Sequence, residues 1–445
     1  MDARIYLLRL EVCGIKNLDK PVSFEFYKKI ISNDFDPSQY KVKAIYGENG
    51  SGKTAVVTAV KILKELLTDS TYLEDSDTQR TLYALINKKR NSGYIECEFY
   101  DTFDKKPSIC KYRVSFETGE DKRIYLASEE LYIKNGRYSK NKYSAVYRVD
   151  NGKLMTACKN EALFKIYQEK TLNLLKKQTF ALCLSSVMRT ADIRKDIDFY
   201  INSIRPYLFA LTLRIYLDEV DHHREFFIKE DLKDLIQNNE SFNSEDSVQF
   251  LERQEYYIQS DEVMIRKPVY DEYAGKIRRL YSFLHIFKPE IKDIQIDRRE
   301  DREYYRCRLK LVYEDYVLDQ EFESRGIRKL IKMFDYLDLS ASGGITFIDE
   351  LDSNINDVYL DKIIEFMMYY GKGQLCFTAH NLSPMSILKE NKGSISFLSS
   401  INTVHTWTNN GNLSPENAYR NGFIEDSPFN TDAVDFIGIL GGDDA

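Results

Sequence analysis

Hydrophobic positions along the chain change period several times, and each change marks an expected element. Residues 5–26 alternate apolar and polar side chains around Gly14 and Asn17, the pattern of two strands joined by a turn. Val42, Ala44, Ile45 and Tyr46 form a short apolar run. Residues 55–67 then repeat Val56, Val57, Val60, Ile62, Leu63 and Leu66 at helical spacing. Short apolar runs at 94–99, 111–116, 123–126, 131–133 and 145–148, parted by Gly, Asp and Asn turns, predict a meandering antiparallel sheet. Residues 162–187 and 193–236 shift to helical spacing, 238–247 is a polar break, and the helical insertion is expected to continue to Lys288-Pro289. It lacks sustained heptads, which predicts a compact unit rather than an extended coiled-coil arm. Strands return at 291–296, 304–313 and 316–322. An amphipathic helix carrying Leu330, Ile331, Phe334 and Leu337 follows, then apolar strands at 345–348 and 374–377 and two last ones at 394–398 and 403–408.

The junction between the second and third of these patterns carries chemistry. Gly47, Glu48, Asn49, Gly50, Ser51, Gly52, Lys53 and Thr54 fit G-x-x-x-x-G-K-[ST], placed between a strand pattern and a helix pattern as a nucleotide-binding loop requires. Glycines let backbone amides face phosphates without a Cβ in the way, and the helix N-terminus adds partial positive charge. Lys53 is the candidate contact to the β- and γ-phosphates of ATP, and Thr54 the candidate hydroxyl ligand of Mg2+.

Far downstream, Ile345, Phe347 and Ile348 lead into Asp349-Glu350. Adjacent strand residues point to opposite sides, so Asp349 is expected on the Mg2+ shell and Glu350 beside the attacking water as general base. Upstream of that strand, Glu323-Ser324-Arg325-Gly326 opens a helix with a hydroxyl and bare amides suited to a phosphate. The run from Gln374 ends in Thr378-Ala379-His380-Asn381, which places His380 where it can hydrogen-bond a γ-phosphate.

This order of phosphate loop, long insertion, Ser-x-Gly signature, Asp-Glu strand and strand-end histidine resembles an ABC-type ATPase head of the SMC-like group. The Glu-Ser-x-Gly form with Arg328-Lys329, the run from Asp349 to Asn356, and Thr378-Ala379-His380-Asn381 are similar to stand-alone prokaryotic defence ATPases. These are the AriA ATPases of PARIS systems, favoured here, the PtuA ATPases of Septu, and the ATPase half of overcoming-lysogenization-defect nucleases. The resemblance implies an α/β fold: an ABC/SMC-like P-loop ATPase head with an antiparallel β-subdomain and a compact helical insertion. It implies an N-terminal part of the head over 1–150 and a dimerisation or partner-docking insertion over 151–290. A C-terminal part of the head over 291–408 would carry signature, Walker B strand and switch histidine, with a tail over 409–445. It also implies a homodimer or higher oligomer closing around ATP, with Ser324 and Gly326 of one protomer completing the Lys53 site of the other. The chain departs from the family at Asn356, where a histidine is common, and at Ile327, where a threonine or glutamine is common.

Composition narrows the function classes. A net charge of −7 argues against a surface devoted wholly to nucleic acid, though Lys88-Lys89-Arg90, residues 134–142 and Arg278-Arg279 leave DNA open as a further ligand. No segment approaches the roughly 20 apolar residues of a membrane span, and the first residues lack a signal-peptide core, so a cytoplasmic protein with no membrane partner is expected. Seven cysteines, at 13, 97, 110, 158, 183, 307 and 376, show no C-x-x-C pair and are expected as reduced core thiols. His222-His223 has no metal-site spacing and is expected on a helix surface. The residues after His380 carry no Toprim-like metal set and no HNH-like constellation, so a toxic activity would sit on a separately encoded effector such as a nuclease, with a phage product as trigger. The apolar run at 433–440 is expected to dock on a partner or on its own domain. Two other classes stay open: a RecF-like recombination or repair ATPase that clamps DNA on ATP-driven dimerisation, and an assembly protein that binds ATP with little turnover.

Overall fold

A computed structural model of the chain describes residues 5–27, 35–102, 107–137, 142–156, 159–187, 196–217, 262–353, 355–391, 393–408 and 413–427. His222-His223, the polar break at 238–247, Cys158, most of the 138–142 stretch and the run at 433–440 lie outside the described residues.

The first sheet is antiparallel and is built almost entirely from the first third of the chain. Strands β1 (Ile5–Cys13) and β2 (Val22–Glu25) pair as the alternation predicts, joined through the Gly14 turn. Beyond β3 (Val42–Tyr46), α1 (Lys53–Thr68) and α2 (Ser76–Leu85), the sheet continues with β4 (Ser92–Asp101), β5 (Ser108–Thr118), β6 (Ile124–Asn135), β7 (Ser144–Asp150) and β8 (Lys153–Thr156). Its order is β2-β1-β4-β5-β6-β7-β8. The runs at 123–126 and 131–133 are one strand, not two. The polar residues between them find partners instead of a turn. Ser128 Oγ lies 2.6 Å from Ser115 Oγ, and the buried Glu129 carboxylate accepts from Tyr147 (2.6 Å), Tyr112 (3.1 Å) and the amide of Phe180 (2.5 Å).

Helices α3 (Glu161–Lys170), α4 (Phe180–Val187) and α5 (Ile197–Thr212) follow. The span read as helical to 236 is broken at once by β9 (Leu213–Tyr216), a fully buried strand. Four successive buried residues read equally well as strand or helix, and parallel pairing with the later β14 decides for the strand. After β10 (Val263–Arg266) and α6 (Tyr270–Phe287), the strands β11 (Asp293–Asp301), β12 (Tyr304–Val312) and β13 (Val317–Asp319) complete a small four-stranded sheet with β10. The remainder runs α7 (Arg325–Ser342), β14 (Ile345–Ile348), α8 (Asp357–Tyr369), β15 (Gln374–Thr378), α9 (Met385–Leu388), β16 (Ile395–Leu398), β17 (Val404–Thr406) and α10 (Pro415–Arg420).

The central sheet has the order β17-β16-β3-β15-β14-β9, parallel except for β17. Period-2 alternation divides its side chains between two apolar cores. Ile45, Ile345, Phe347, Cys376 and Leu398 join α1, α4, α5 and the antiparallel sheet on one face, while Ala44, Tyr46, Ile348, Phe377 and Phe397 join α6, α7, α8 and the small sheet on the other. Buried polar clasps tie the layers. The Gln374 side chain bonds both main-chain groups of Leu7 (2.6 and 3.0 Å), and Arg205 on α5 makes an ion pair with Asp101 on β4, both fully buried. Among the described residues no helix is long and apolar enough to cross a membrane. The six described cysteines are buried, and none of them is in a disulfide.

Candidate nucleotide site

β3 delivers the loop 47–52 at the carboxyl end of the central sheet, and α1 begins directly after it. The loop's backbone explains its glycines. Gly50 (φ +82°) and Gly52 (φ +109°) occupy conformations that L side chains rarely adopt, and a Cβ on Gly52 would lie 2.6 Å from Leu18 Cδ2. Asn17, in the turn between β1 and β2, donates its side-chain amide to the carbonyl of Gly50 and holds the loop from the antiparallel sheet.

Three features suit this loop to an anion. Helices α2, α3, α5, α7, α8 and α10 are each capped by a side chain, from Asp75, Asn160, Asp196, Ser324, Asn356 and Ser414, whereas α1, like α6 and the short α9, has no side-chain cap, and it follows Gly52 directly. Its first-turn amides therefore open onto the loop. The Ser51 hydroxyl is buried with no hydrogen-bond partner among the described residues, an orphan that a phosphate oxygen would satisfy. Lys53 is buried, and its ammonium donates to the carbonyls of Gly47 (2.7 Å) and Glu48 (3.0 Å). Burial pushes the Lys53 amine below its ordinary value, and the charges of Asp349, Glu350, Asp352 and Glu48 oppose that shift. Thr54 follows in the first turn of α1, half-buried.

Those same acids show how the far part of the chain is folded back onto the loop. β15 lies between β3 and β14, so the Asp349-Glu350 corner and the loop share one edge of the sheet, one strand apart. Thr378, at the end of β15, organises the corner. Its hydroxyl donates to Asp349 Oδ1 (2.6 Å) and accepts from the amide of Glu350 (2.8 Å). Asp349 is buried; Glu350 is exposed and holds a left-handed backbone at φ +49°, uncommon outside glycine. This twist turns the acid out of the strand end, so the two carboxyls face different surroundings. Asp352 accepts from the amides of His380 (2.9 Å) and Asn381 (2.7 Å), which fixes the turn carrying the exposed His380 ring.

Ser324 is the N-cap of α7, its hydroxyl accepting from the amide of Ile327 at 3.4 Å, and Gly326 stands in the first turn with open space where a Cβ would be. Glu323 fixes this opening. Burial alone would raise its carboxyl, but bonds from Tyr313, the amide of Ser324 (3.0 Å) and Lys288 (3.3 Å) take it below the ordinary carboxylate value. No hydrogen bond or ion pair among the described residues joins Ser324 or Gly326 to the loop 47–54. Their helix reaches the acidic corner through Lys329, whose buried ammonium donates to the Glu350 carbonyl at 3.0 Å. Asn356 caps α8 by accepting from the amide of Val358 at 3.0 Å.

Sequence reasoning missed the organising parts: Thr378, Asp352, Lys329 and Asn17. Thr378, Asp352 and Lys329 lie inside the motifs named above without a role, since only their contacts give them one. Of the basic runs, Lys89 is ion-paired with Asp19 (3.0 Å), Lys88 lies over the Tyr83 ring, and Arg279 pairs with Asp338 (2.9 Å).

No family model matches the chain, and no curated protein matches it. Among solved structures it is similar to the recombination mediator protein RecF, in a structure described as RecF-ATPrS in the RecFOR pathway. The identity is 13%, the TM-score is 0.38, and the match covers 92% of this chain and 99% of that one. The chemistry of the site therefore rests on its own residues.

Proposed function

We propose that the protein is a Mg2+-dependent ATPase of the ABC/SMC-like type. The observation that carries this reading is the meeting of an uncapped helix N-terminus, Lys53 and the orphan Ser51 hydroxyl with the Asp349-Glu350 corner at one edge of a parallel sheet. The loop amides, Ser51 and Lys53 bind the phosphates, and Lys53 exchanges its two loop carbonyls for phosphate oxygens. Thr54 and Asp349 would hold Mg2+, whose charge neutralises the phosphate oxygens when bound; a hydroxyl and a carboxylate are the hard oxygen donors that ion takes. Glu350 orients and deprotonates the attacking water, and His380 donates to the γ-phosphate. Ser324 and Gly326 serve a second protomer's nucleotide.

The motif resemblance extends this reading to a cytoplasmic, oligomeric sensor and scaffold in anti-phage defence, which holds a separately encoded effector, a nuclease, until a phage product changes the assembly. Nucleotide binding and turnover test the first part. Lys53→Ala is expected to lose ATP binding, and Glu350→Gln to keep binding while turnover falls about 100-fold or more. Equal turnover in wild type and Glu350→Gln would remove the base from Glu350. Co-purification with the adjacent gene product, its mass followed with ATP and Mg2+, tests the second part. A lone dimer that binds duplex DNA only with ATP, and more weakly in salt, would replace the effector with DNA.

A further inference from the structure

Helix α8, which follows the acidic corner, carries apolar side chains on two sides. Leu360, Ile364 and Met367 face its own core. Tyr359, Ile363, Phe366 and, just past the helix end, Tyr370 form a second stripe: Tyr359, Phe366 and Tyr370 are exposed, and Ile363 is half-buried against the core. Tyr369 and Val358 widen this face. At its edge Phe287 of α6 packs on Tyr359 with ring centroids 4.8 Å apart, next to an exposed Ile286.

The stripe has a symmetry that points to its occupant. Its spacing, four then three then four residues, reads the same from either end, with tyrosine at both ends and apolar side chains at the centre. A two-fold axis crossing α8 between Ile364 and Glu365 would place Tyr359 against Tyr370 of a second copy, and Ile363 against its Phe366. That is the self-complementarity an isologous dimer needs. The size fits as well. At about 200 Å² per aromatic side chain, the exposed rings with Val358 and Ile286 present roughly 500 Å², so two copies would bury on the order of 1,000 Å², the lower bound of a specific interface.

We propose that α8 is a self-association face at which two copies of this chain pair antiparallel, without nucleotide. The pairing does not depend on ATP chemistry. Combined with an ATP-closed dimer, it would link dimers into larger assemblies.

Light scattering on nucleotide-free protein tests it. Wild type is expected at twice the 52.2 kDa chain mass. Phe366→Glu and Tyr370→Glu are both expected at the monomer mass with an unchanged thermal melt, since both side chains are exposed. The register is tested by a short bismaleimide. Tyr359→Cys/Tyr370→Cys is expected to link two chains, and either single substitution to link few. Within one α8 the two positions lie about 16 Å apart, beyond such a linker. A nucleotide-free monomer in wild type would overturn the proposal, including the case where deleting residues 433–440 then produces a dimer. A dimer that survives both glutamate substitutions would overturn it too.

Discussion

The Lys329 ammonium sits 3.0 Å from the main-chain oxygen of Glu350, so the helix capped by Ser324 is tied by one buried charge to the backbone of the proposed base. Glu350 needs such a tie, because its left-handed backbone persists only where the surroundings hold it. A charge-assisted hydrogen bond of this kind is worth about 1.5–3 kcal/mol. Lys329→Met is therefore expected to lower kcat for ATP about ten-fold or more while leaving nucleotide affinity nearly unchanged. Steady-state hydrolysis beside direct nucleotide binding checks this, and an unchanged kcat would show that the tie is structural only.

Thr378 holds both acids of the corner with one hydroxyl. Thr378→Val keeps the shape but leaves Asp349 Oδ1 and the Glu350 amide unpaired, at a cost of about 1–3 kcal/mol each when buried. Turnover should fall by at least ten-fold and the thermal midpoint by several degrees. Thr378→Ser should restore most of both; failure of serine to rescue would assign the effect to packing rather than to the hydroxyl.

Gly52 combines a left-handed φ with a close approach to Leu18. Gly52→Ala is expected to destabilise the loop by about 1–3 kcal/mol and to abolish ATP-dependent stabilisation in a thermal melt. Gly326→Ala meets open space and has no such backbone demand, so it should leave single-chain stability unchanged. Equal losses in the two variants would contradict this contrast.

Lys43, on the phosphate-loop strand, is a buried cation that, among the described residues, donates to the carbonyls of Gly393 (2.7 Å) and Glu25 (3.0 Å). Burial takes its amine down to about 8 from the ordinary 10.5, with weak opposition from Cys376 and Glu25. Between those values the unfolded chain holds a proton that the folded chain has released. This residue's contribution to stability is therefore unfavourable below pH 8 and improves as pH rises. Relative to Lys43→Met, wild type should gain about 2 kcal/mol between pH 7.5 and pH 10 in denaturant unfolding. Tyrosines and cysteines titrate in both proteins and cancel, so a pH-independent difference would refute the assignment.

The parts legible in the sequence were those whose pattern is local. The glycine-rich loop, the strand before it and α1 after it follow from one short window, because left-handed turns, burial and helical period each leave a mark there. The order of strands, by contrast, is set by pairings that no window contains. Leu213–Tyr216 falls inside the span read as helical over 193–236, because its partner, Ile345–Ile348, lies far along the chain. The split reading of β6 failed for a related reason: Glu129 breaks the apolar pattern, and only Tyr112, Tyr147 and the α4 amides make it an acceptable core residue. α2, with Gln79 and Leu82 alone buried, left too faint a stripe to read.

The central sheet pairs Val42 with Leu375 and Leu213 with Ile345, so a ribosome making this chain releases the phosphate loop long before the strands that flank it exist. Until β15 emerges, β3 has neither neighbour, although α1 can already lie against α4, α5 and the antiparallel sheet. Such late, non-local closure slows folding and leaves an apolar strand edge exposed meanwhile. Nascent chains stalled before residue 374 should accordingly stay protease-sensitive around β3, and nucleotide binding should arise abruptly once β16 has cleared the exit tunnel.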